Sequence, residues 1–237
     1  MNRTSDDVAR EDAARRDSGK NTASDRPKDL AEFASNSKWI PTRSGKWIDL
    51  DEPNPRHFNS GDIAHALAKE QRFGNQLPMN YSVADHCVIL SHCVPVEYRF
   101  EALMHDASEA YLRDLAAPYK RRCGDYKRLE ERFERAIAGQ FQLPHPHSTL
   151  VKMYDRVLCQ VEGAFFYQIG GGMELPDEID RKKDLPRIQQ AFKTFTLGQS
   201  AESSRFGFLL RYNQLRDEHV DRHLAGAAIE GTSPDPI

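Results

Sequence analysis

From Asp62 onward the apolar residues of this chain recur at helical spacing, and no stretch alternates as a half-buried strand would. Asp62–Phe73 sets Ile63, Ala66, Leu67 and Phe73 roughly on one face. In YSVADHCVILSHC, Ser82 and Asp85 have the spacing of a capping box with the shorter acid, and Val83, His86, Cys87 and Leu90 form the stripe. After Pro95 a helix is expected to carry Phe100, Leu103, Met104, Ala107 and Tyr111 until Pro118 closes the region. Asp125–Phe141 repeats the pattern with Leu129, Phe133, Ala136 and Ile137, and Ser148 caps a helix bearing Val151, Tyr154, Asp155, Leu158 and Phe165. Gly170–Gly172 interrupts, and Pro186–Leu197 and Phe206–Leu224 are again helical. The expected fold is all-α, one bundle, with SGKWIDLDEP (Ser44–Pro53) as a short extended or hairpin element before it.

Residues 1–37 stand apart, because NRTSDDVAREDAARRDSGKNTASDRPKD mixes both charge signs with almost no large apolar side chain. Such a stretch cannot bury enough surface to offset its ordering entropy, so a disordered tail is expected. It lacks the apolar core of a secretory signal, and its many acids argue against a transit peptide. No later run is long enough to span a bilayer, so a cytoplasmic protein with no membrane partner is expected. The net charge of −3 leaves no electrostatic footprint for a nucleic-acid polymer. Cys87, Cys93, Cys123 and Cys159 show no CxxC pairing, and Cys87, Cys93 and Cys159 fall in helical patterns, as buried free thiols do.

Two of the apolar stripes contain a residue of the wrong type. His86 stands in line with Val83 and Leu90, and Asp155 in line with Val151 and Leu158. A lone histidine on an apolar face is ordinarily a hydrogen-bonded core residue. A carboxylate there is harder to dismiss, because burying it ionised costs several kcal/mol unless it meets a cation or strong donors. One divalent metal shared by His86, His105, Asp106 and Asp155 satisfies both anomalies. Mixed imidazole and carboxylate ligation suits Mn, Co, Fe, Zn or Mg without choosing among them. His86 and His105 are 19 positions apart, and Asp106 and Asp155 are 49 apart, so the ligands must come from separate helices and converge inside the bundle.

This ordered set, a histidine, an adjacent His-Asp and a distant Asp, resembles the HD-domain phosphohydrolase superfamily. YSVADHCVILS, EALMHDASEAYLRDLAAPYK and VKMYDRVL are similar to the corresponding blocks of its small bacterial and phage members that act on nucleotides. Those include 5'-deoxynucleotidases and phage dATP-degrading hydrolases. The resemblance covers roughly Trp39 to Phe166 and implies an HD helical bundle over 38–200, with 201–237 a C-terminal helix and flexible end. One departure is Asp85, where relatives often carry Gln or Glu before the first histidine.

The resemblance implies a metal-dependent hydrolysis of (deoxy)nucleotides, most simply removal of the 5' phosphate from a deoxynucleoside monophosphate. A deoxynucleoside triphosphate hydrolase of the dATP type is the alternative, and a non-catalytic nucleotide-binding regulator a further one. Glu109, four residues beyond His105 and three beyond Asp106, shares their helical face, and by resemblance it orients or deprotonates the attacking water. Asp114 lies past the helix end and is a candidate to position that water, the leaving oxygen or a sugar hydroxyl. Arg72, 14 residues before His86, matches the Arg-aromatic pair that precedes the first ligand in the deoxynucleotidases, with Phe73 stacking on a base or packing in the core. Lys120 is a second phosphate candidate or an exposed lysine. Trp39 or Trp47 lines the base pocket or anchors the chain. His65 is expected to be structural, and His92, His145, His147, His219 and His223 have no matching role. Glu162 follows Asp155 by seven residues on the same face, and spacing leaves open whether it supports the site. A homodimer is the family expectation.

Overall fold

The computed structural model describes residues 38–168 and 172–230, together with residues 29, 31 and 32, and side chains as far as residue 219. Apart from those isolated positions, the tail expected over 1–37 lies outside the described residues, as do 169–171 and the end beyond 230. The protein is all-α apart from a small hairpin, β1 (Trp39–Pro41) and β2 (Trp47–Asp49), paired antiparallel with Ile40 opposite Ile48. The hairpin starts earlier than Ser44–Pro53 suggested, with Gly45 supplying the positive φ of +81° at its turn.

The hairpin is tied to α1 (Ser60–Leu67) through one carboxylate. The Ser44 N–H and hydroxyl donate to Asp62 at 2.9 and 2.6 Å, and Asn59 Nδ2 donates to it at 2.7 Å. Asn59 also caps the helix, its Oδ1 accepting the Asp62 N–H at 2.8 Å, which moves the start ahead of the expected Asp62. The helix stops at Leu67 rather than at Phe73. Residues 70–72 instead pair with 81–83, where Arg72 N–H donates to the Tyr81 carbonyl and Val83 N–H to that of Glu70. Phe73 then sits at φ +55°, at the start of a tight turn with Gly74 and Asn75.

The helix α2 (Val83–Cys93) occupies the centre of the bundle. Val83 through Ser91 are all buried, so the helix needs neighbours on every side. Val83, Ala84, Cys87 and Val88 enter one apolar cluster with Phe58, Phe133, Phe208 and Tyr212, while Ile89, Leu90 and Cys93 enter a second with Val157, Leu158, Ile188 and Phe192. The Ser82–Asp85 capping box forms as its spacing indicates.

The segment after Pro95 departs from expectation. It is not one helix but α3 (Arg99–Met104), a tightened turn over 105–108, and α4 (Glu109–Leu112). Three-residue bonds, from Ala107 N–H to the Met104 carbonyl and from Glu109 N–H to that of Asp106, replace the helical ladder there. Pro118 does not merely close the region. It sits in the first turn of a short helix, α5 (Ala117–Lys120), where its missing N–H costs nothing.

The helices α6 (Gly124–Phe141) and α7 (Thr149–Tyr167) follow the expected boundaries, α7 capped by Ser148. Phe165 of the expected stripe is 52% exposed, however, and Cys159 is exposed rather than buried. All the cysteines are free. α8 (Asp184–Thr194) starts and stops slightly before Pro186–Leu197, and α9 (Ala201–Glu230) overruns Phe206–Leu224 at both ends. α9 packs on α1, α2 and α3, and α7 and α8 pack on each other and on α2. Among the described residues no helix is long and apolar enough to cross a membrane.

Phe133, fully buried on α6, packs edge-on against Phe58 at 5.8 Å and lies 6.0 Å from the Tyr111 ring on α4. Phe133→Ala is expected to lower unfolding free energy by about 3–5 kcal/mol in urea titrations, as large-to-small core changes do. A loss below about 1 kcal/mol would mean that this cluster is not a packed core.

Candidate metal site

His86 reaches the site from the middle of α2, His105 and Asp106 from the tightened turn between α3 and α4, and Asp155 from α7. The break in the expected helix therefore falls on the His-Asp pair itself. Ligand atoms of His86, His105 and Asp106 all lie within 4.8 Å of one another. Asp155 Oδ1 lies 3.1 Å from His86 Nε2 and 3.8 Å from His105 Nε2. The side chains expected to meet from distant parts of the chain do meet.

The hydrogen bonds fix how each imidazole presents itself. His105 Nδ1 lies 2.9 Å from the Ala102 carbonyl oxygen, which can only accept, so Nδ1 carries the proton. His86 Nδ1 lies 2.5 Å from Glu162 Oε1, an acceptor when ionised, with the same result. Both Nε2 atoms then present lone pairs to carboxylates, His86 to Asp155 and His105 to Asp106, each at 3.1 Å. Acceptor facing acceptor at that distance is repulsive unless a proton or a cation lies between them. His105 Nε2 is moreover buried with no hydrogen-bond partner among the described residues. Two imidazole nitrogens and the Asp106 carboxylate lie close enough together to hold a divalent metal, with Asp155 beside the imidazoles.

Electrostatics agree with that geometry. Burial opposes charge on His105, but Asp106 outweighs it and holds the imidazole pKa well above its ordinary value. Burial also opposes ionisation of Asp155, yet the neighbouring His105 and His86 imidazoles hold its carboxyl well below the usual range.

The expectation that Asp155 is the deeply buried carboxylate is corrected: its side chain is 39% exposed, at the mouth of the site. Among the described residues the carboxylate with no exposure is Glu162, two helical turns further along α7. It accepts from Tyr81 Oη at 2.6 Å, from His86 Nδ1 at 2.5 Å and from Arg72 Nη2 at 3.0 Å. Burial raises its pKa, but Arg72 and His86 prevail and keep it ionised. Arg72 thus arrives with one edge committed to Glu162, while Nη1 stands 3.8 Å from Asp106 Oδ2. Spacing hinted at Glu162, but nothing local marked Tyr81, which lies 81 positions from its partner.

Beside the ligands, Glu109 is 6% exposed, and its Oε2 has no hydrogen-bond partner among the described residues. Burial, then the like charges of Asp106 and Asp114, push its carboxyl well above the ordinary range. Lys120 Nζ donates to Glu109 at 3.2 Å and to Glu130 at 2.7 Å, and its side chain keeps 30% exposure. Glu130, on α6, was not marked by the sequence. Asp114 is half-buried, its backbone N–H held by Glu70 at 3.3 Å, and burial raises its carboxyl pKa.

The other candidates fall further out or in other roles. Phe73 packs edge-on against Phe166 and Tyr167, with the Arg72 guanidinium 5.6 Å from its ring. Trp39 pairs with Asp49 in the hairpin beneath the Lys38 ammonium, and Trp47 offers its carbonyl to His57 there. His147 approaches Glu101 at 3.6 Å, and His219 packs on Phe100, both away from the metal ligands.

No family model matches the chain. It is similar to the Escherichia coli (strain K12) protein described as uncharacterized protein YfdR, 44% identical over 124 residues that span 52% of this chain and 70% of that protein. It is also similar to the uncharacterized protein RCAP_rcc00048 of Rhodobacter capsulatus, 32% identical over 157 residues that span 60% of this chain and 78% of that one.

Glu162→Gln removes the charge that orients His86 and neutralises Arg72. Mn²⁺ affinity measured by titration calorimetry is expected to fall about 10- to 100-fold, the usual effect of losing a carboxylate behind a ligating histidine. The helical circular dichroism should be retained, with a lowered melting temperature from the uncompensated arginine. Unchanged Mn²⁺ affinity would show that Glu162 does not organise the cluster.

Proposed function

The chain belongs to the family of Escherichia coli YfdR and Rhodobacter capsulatus RCAP_rcc00048, and from its own residues we propose that it is an HD-type, metal-dependent phosphohydrolase of (deoxy)nucleotides, removing the 5' phosphate of deoxynucleoside monophosphates. One observation carries the reading. Imidazole Nε2 atoms with committed Nδ1 hydrogens face Asp106 and Asp155 at 3.1 Å, with Glu109 and Lys120 alongside.

His86, His105, Asp106 and Asp155 would hold the ion, with Mn, Co, Zn, Fe and Mg all compatible with that donor set. When bound, a divalent ion supplies Lewis acidity, lowering the pKa of a water and offsetting charge on phosphate oxygens. The chain's own groups do the rest. The unpaired Oε2 of Glu109 is an acceptor for the proton of an attacking water, and Lys120 holds the other oxygen so that the carboxyl cannot swing away. Arg72, anchored by Glu162, and the partly exposed ammonium of Lys120 are the cations available to phosphate oxygens. Asp114, whose carboxyl pKa is raised by burial, would give a proton to the leaving oxygen or accept from a sugar hydroxyl. The balance is a phosphomonoester plus water giving an alcohol plus inorganic phosphate. Positioning and charge stabilisation must supply most of the rate for a reaction this slow in water.

Purified protein with Mn²⁺ or Co²⁺ is expected to release phosphate from deoxynucleoside monophosphates in a panel that also contains the triphosphates. Asp106→Ala should abolish release while leaving the helical circular dichroism intact. Glu109→Gln should lower kcat by about 10²- to 10⁴-fold, the range for losing a general base. Release from the triphosphates alone would make the enzyme a triphosphate hydrolase, and no release from any nucleotide would refute the reading.

A further inference from the structure

Away from the metal ligands, a cleft of about 490 Å³ opens between the β-hairpin, α1 and α4. Its lining includes none of His86, His105, Asp106, Asp155 or Glu109. The floor is apolar, formed by Ile40, Pro41, Ala66 and Ala110, and the rim carries Arg43, Lys69 and Arg113. Arg43 and Lys69 are exposed and have no ion-pair partner among the described residues. Arg113 pairs with Glu70 at 3.0 Å, with its side chain 72% exposed.

The acid in the wall offsets only part of this charge. Asp62, held by Ser44 and Asn59, sets one carboxylate against three cations, of which Arg113 is also paired with Glu70. His65 registers the resulting field: burial first, then Lys69, Arg43 and Arg205, lower its pKa. Tyr111 in the wall turns its ring to Phe58 and Phe133, and its hydroxyl is sealed from solvent. Space of this size is typical of small-molecule sites, roughly 300–1,000 Å³, where an apolar body is gripped by a few polar groups. Cations at the rim over an apolar floor select a ligand with an anionic end and an apolar body, and clustered Arg and Lys suit a phosphate dianion best.

We infer that this cleft is a second ligand site, binding a phosphomonoester on a small apolar body between Arg43, Lys69 and Arg113. The inference stands apart from the hydrolysis proposed above, since it needs neither metal nor turnover.

The test uses the full chain in EDTA, with calorimetric titration of deoxyadenosine monophosphate, glycerol 3-phosphate, inorganic phosphate and deoxyadenosine. Saturable binding of the nucleotide, competed by inorganic phosphate and weakened by added salt, is expected. Glycerol 3-phosphate, whose diol offers little to the apolar floor, should bind more weakly than the nucleotide. The double variant Arg43→Ala/Lys69→Ala should weaken binding at least tenfold. Three results would overturn the inference: no saturable binding of any probe, a double variant that binds like wild type, or deoxyadenosine binding as well as its monophosphate.

Discussion

Both imidazoles of the candidate metal site have given away the hydrogen that would otherwise make peace with the carboxylates in front of them. His105 donates from Nδ1 to a backbone carbonyl and His86 from Nδ1 to Glu162, so each Nε2 meets a carboxylate oxygen at 3.1 Å with a lone pair. Neither contact is tolerable bare. A proton on Nε2 makes each contact an ion pair, and a shared cation makes it ligation. The folded chain thus holds an arrangement with few solutions, and the helices that present it must be stiff enough not to relax away from it.

That stiffness comes from the centre of the bundle. α2 is buried along its length between the apolar clusters, so His86 cannot shift without disturbing both. Behind it, Glu162 is a carboxylate with no solvent contact, stabilised by a phenol, an imidazole and a guanidinium. Removing any one partner would leave a buried charge short of a donor, a cost of several kcal/mol. The same carboxylate that fixes the tautomer of His86 also fixes the position of Arg72, so one buried charge sets ligand orientation and the nearest cation together.

The convergence of His86, His105, Asp106 and Asp155 was legible because metal-ligating residue types stand out on apolar stripes whatever the intervening chain. The all-α class was legible from the periodicity. Depth was not. A stripe shows which face of α7 turns inward but not how far along the helix water reaches, so Asp155 and Glu162 exchanged places as the buried acid. The break at 105–108 carries neither Gly nor Pro, and only its three-residue hydrogen bonds reveal it. The early end of α1 was hidden for a related reason: residues 70–72 find backbone partners at 81–83, a choice made by tertiary pairing rather than local propensity. Glu130 and Tyr81 looked like any other acid and phenol, because their roles depend on partners brought close only by the fold.

Charge balance explains why these parts belong together. Asp106, Asp155, Glu109, Asp114 and Glu162 crowd a space in which Arg72 and Lys120 are the permanent cations. With the chain's own groups alone, protons make up the difference: burial and like charges hold the carboxyls of Glu109 and Asp114 up, and neighbouring carboxylates hold His105 up against burial. A divalent ion held by His86, His105 and Asp106 would displace those protons, coupling its binding to their release. Glu130 has its place in this balance, since by sharing Lys120 it keeps that ammonium beside Glu109 without neutralising it fully. In so crowded a set, small changes in local charge decide which carboxyl holds a proton.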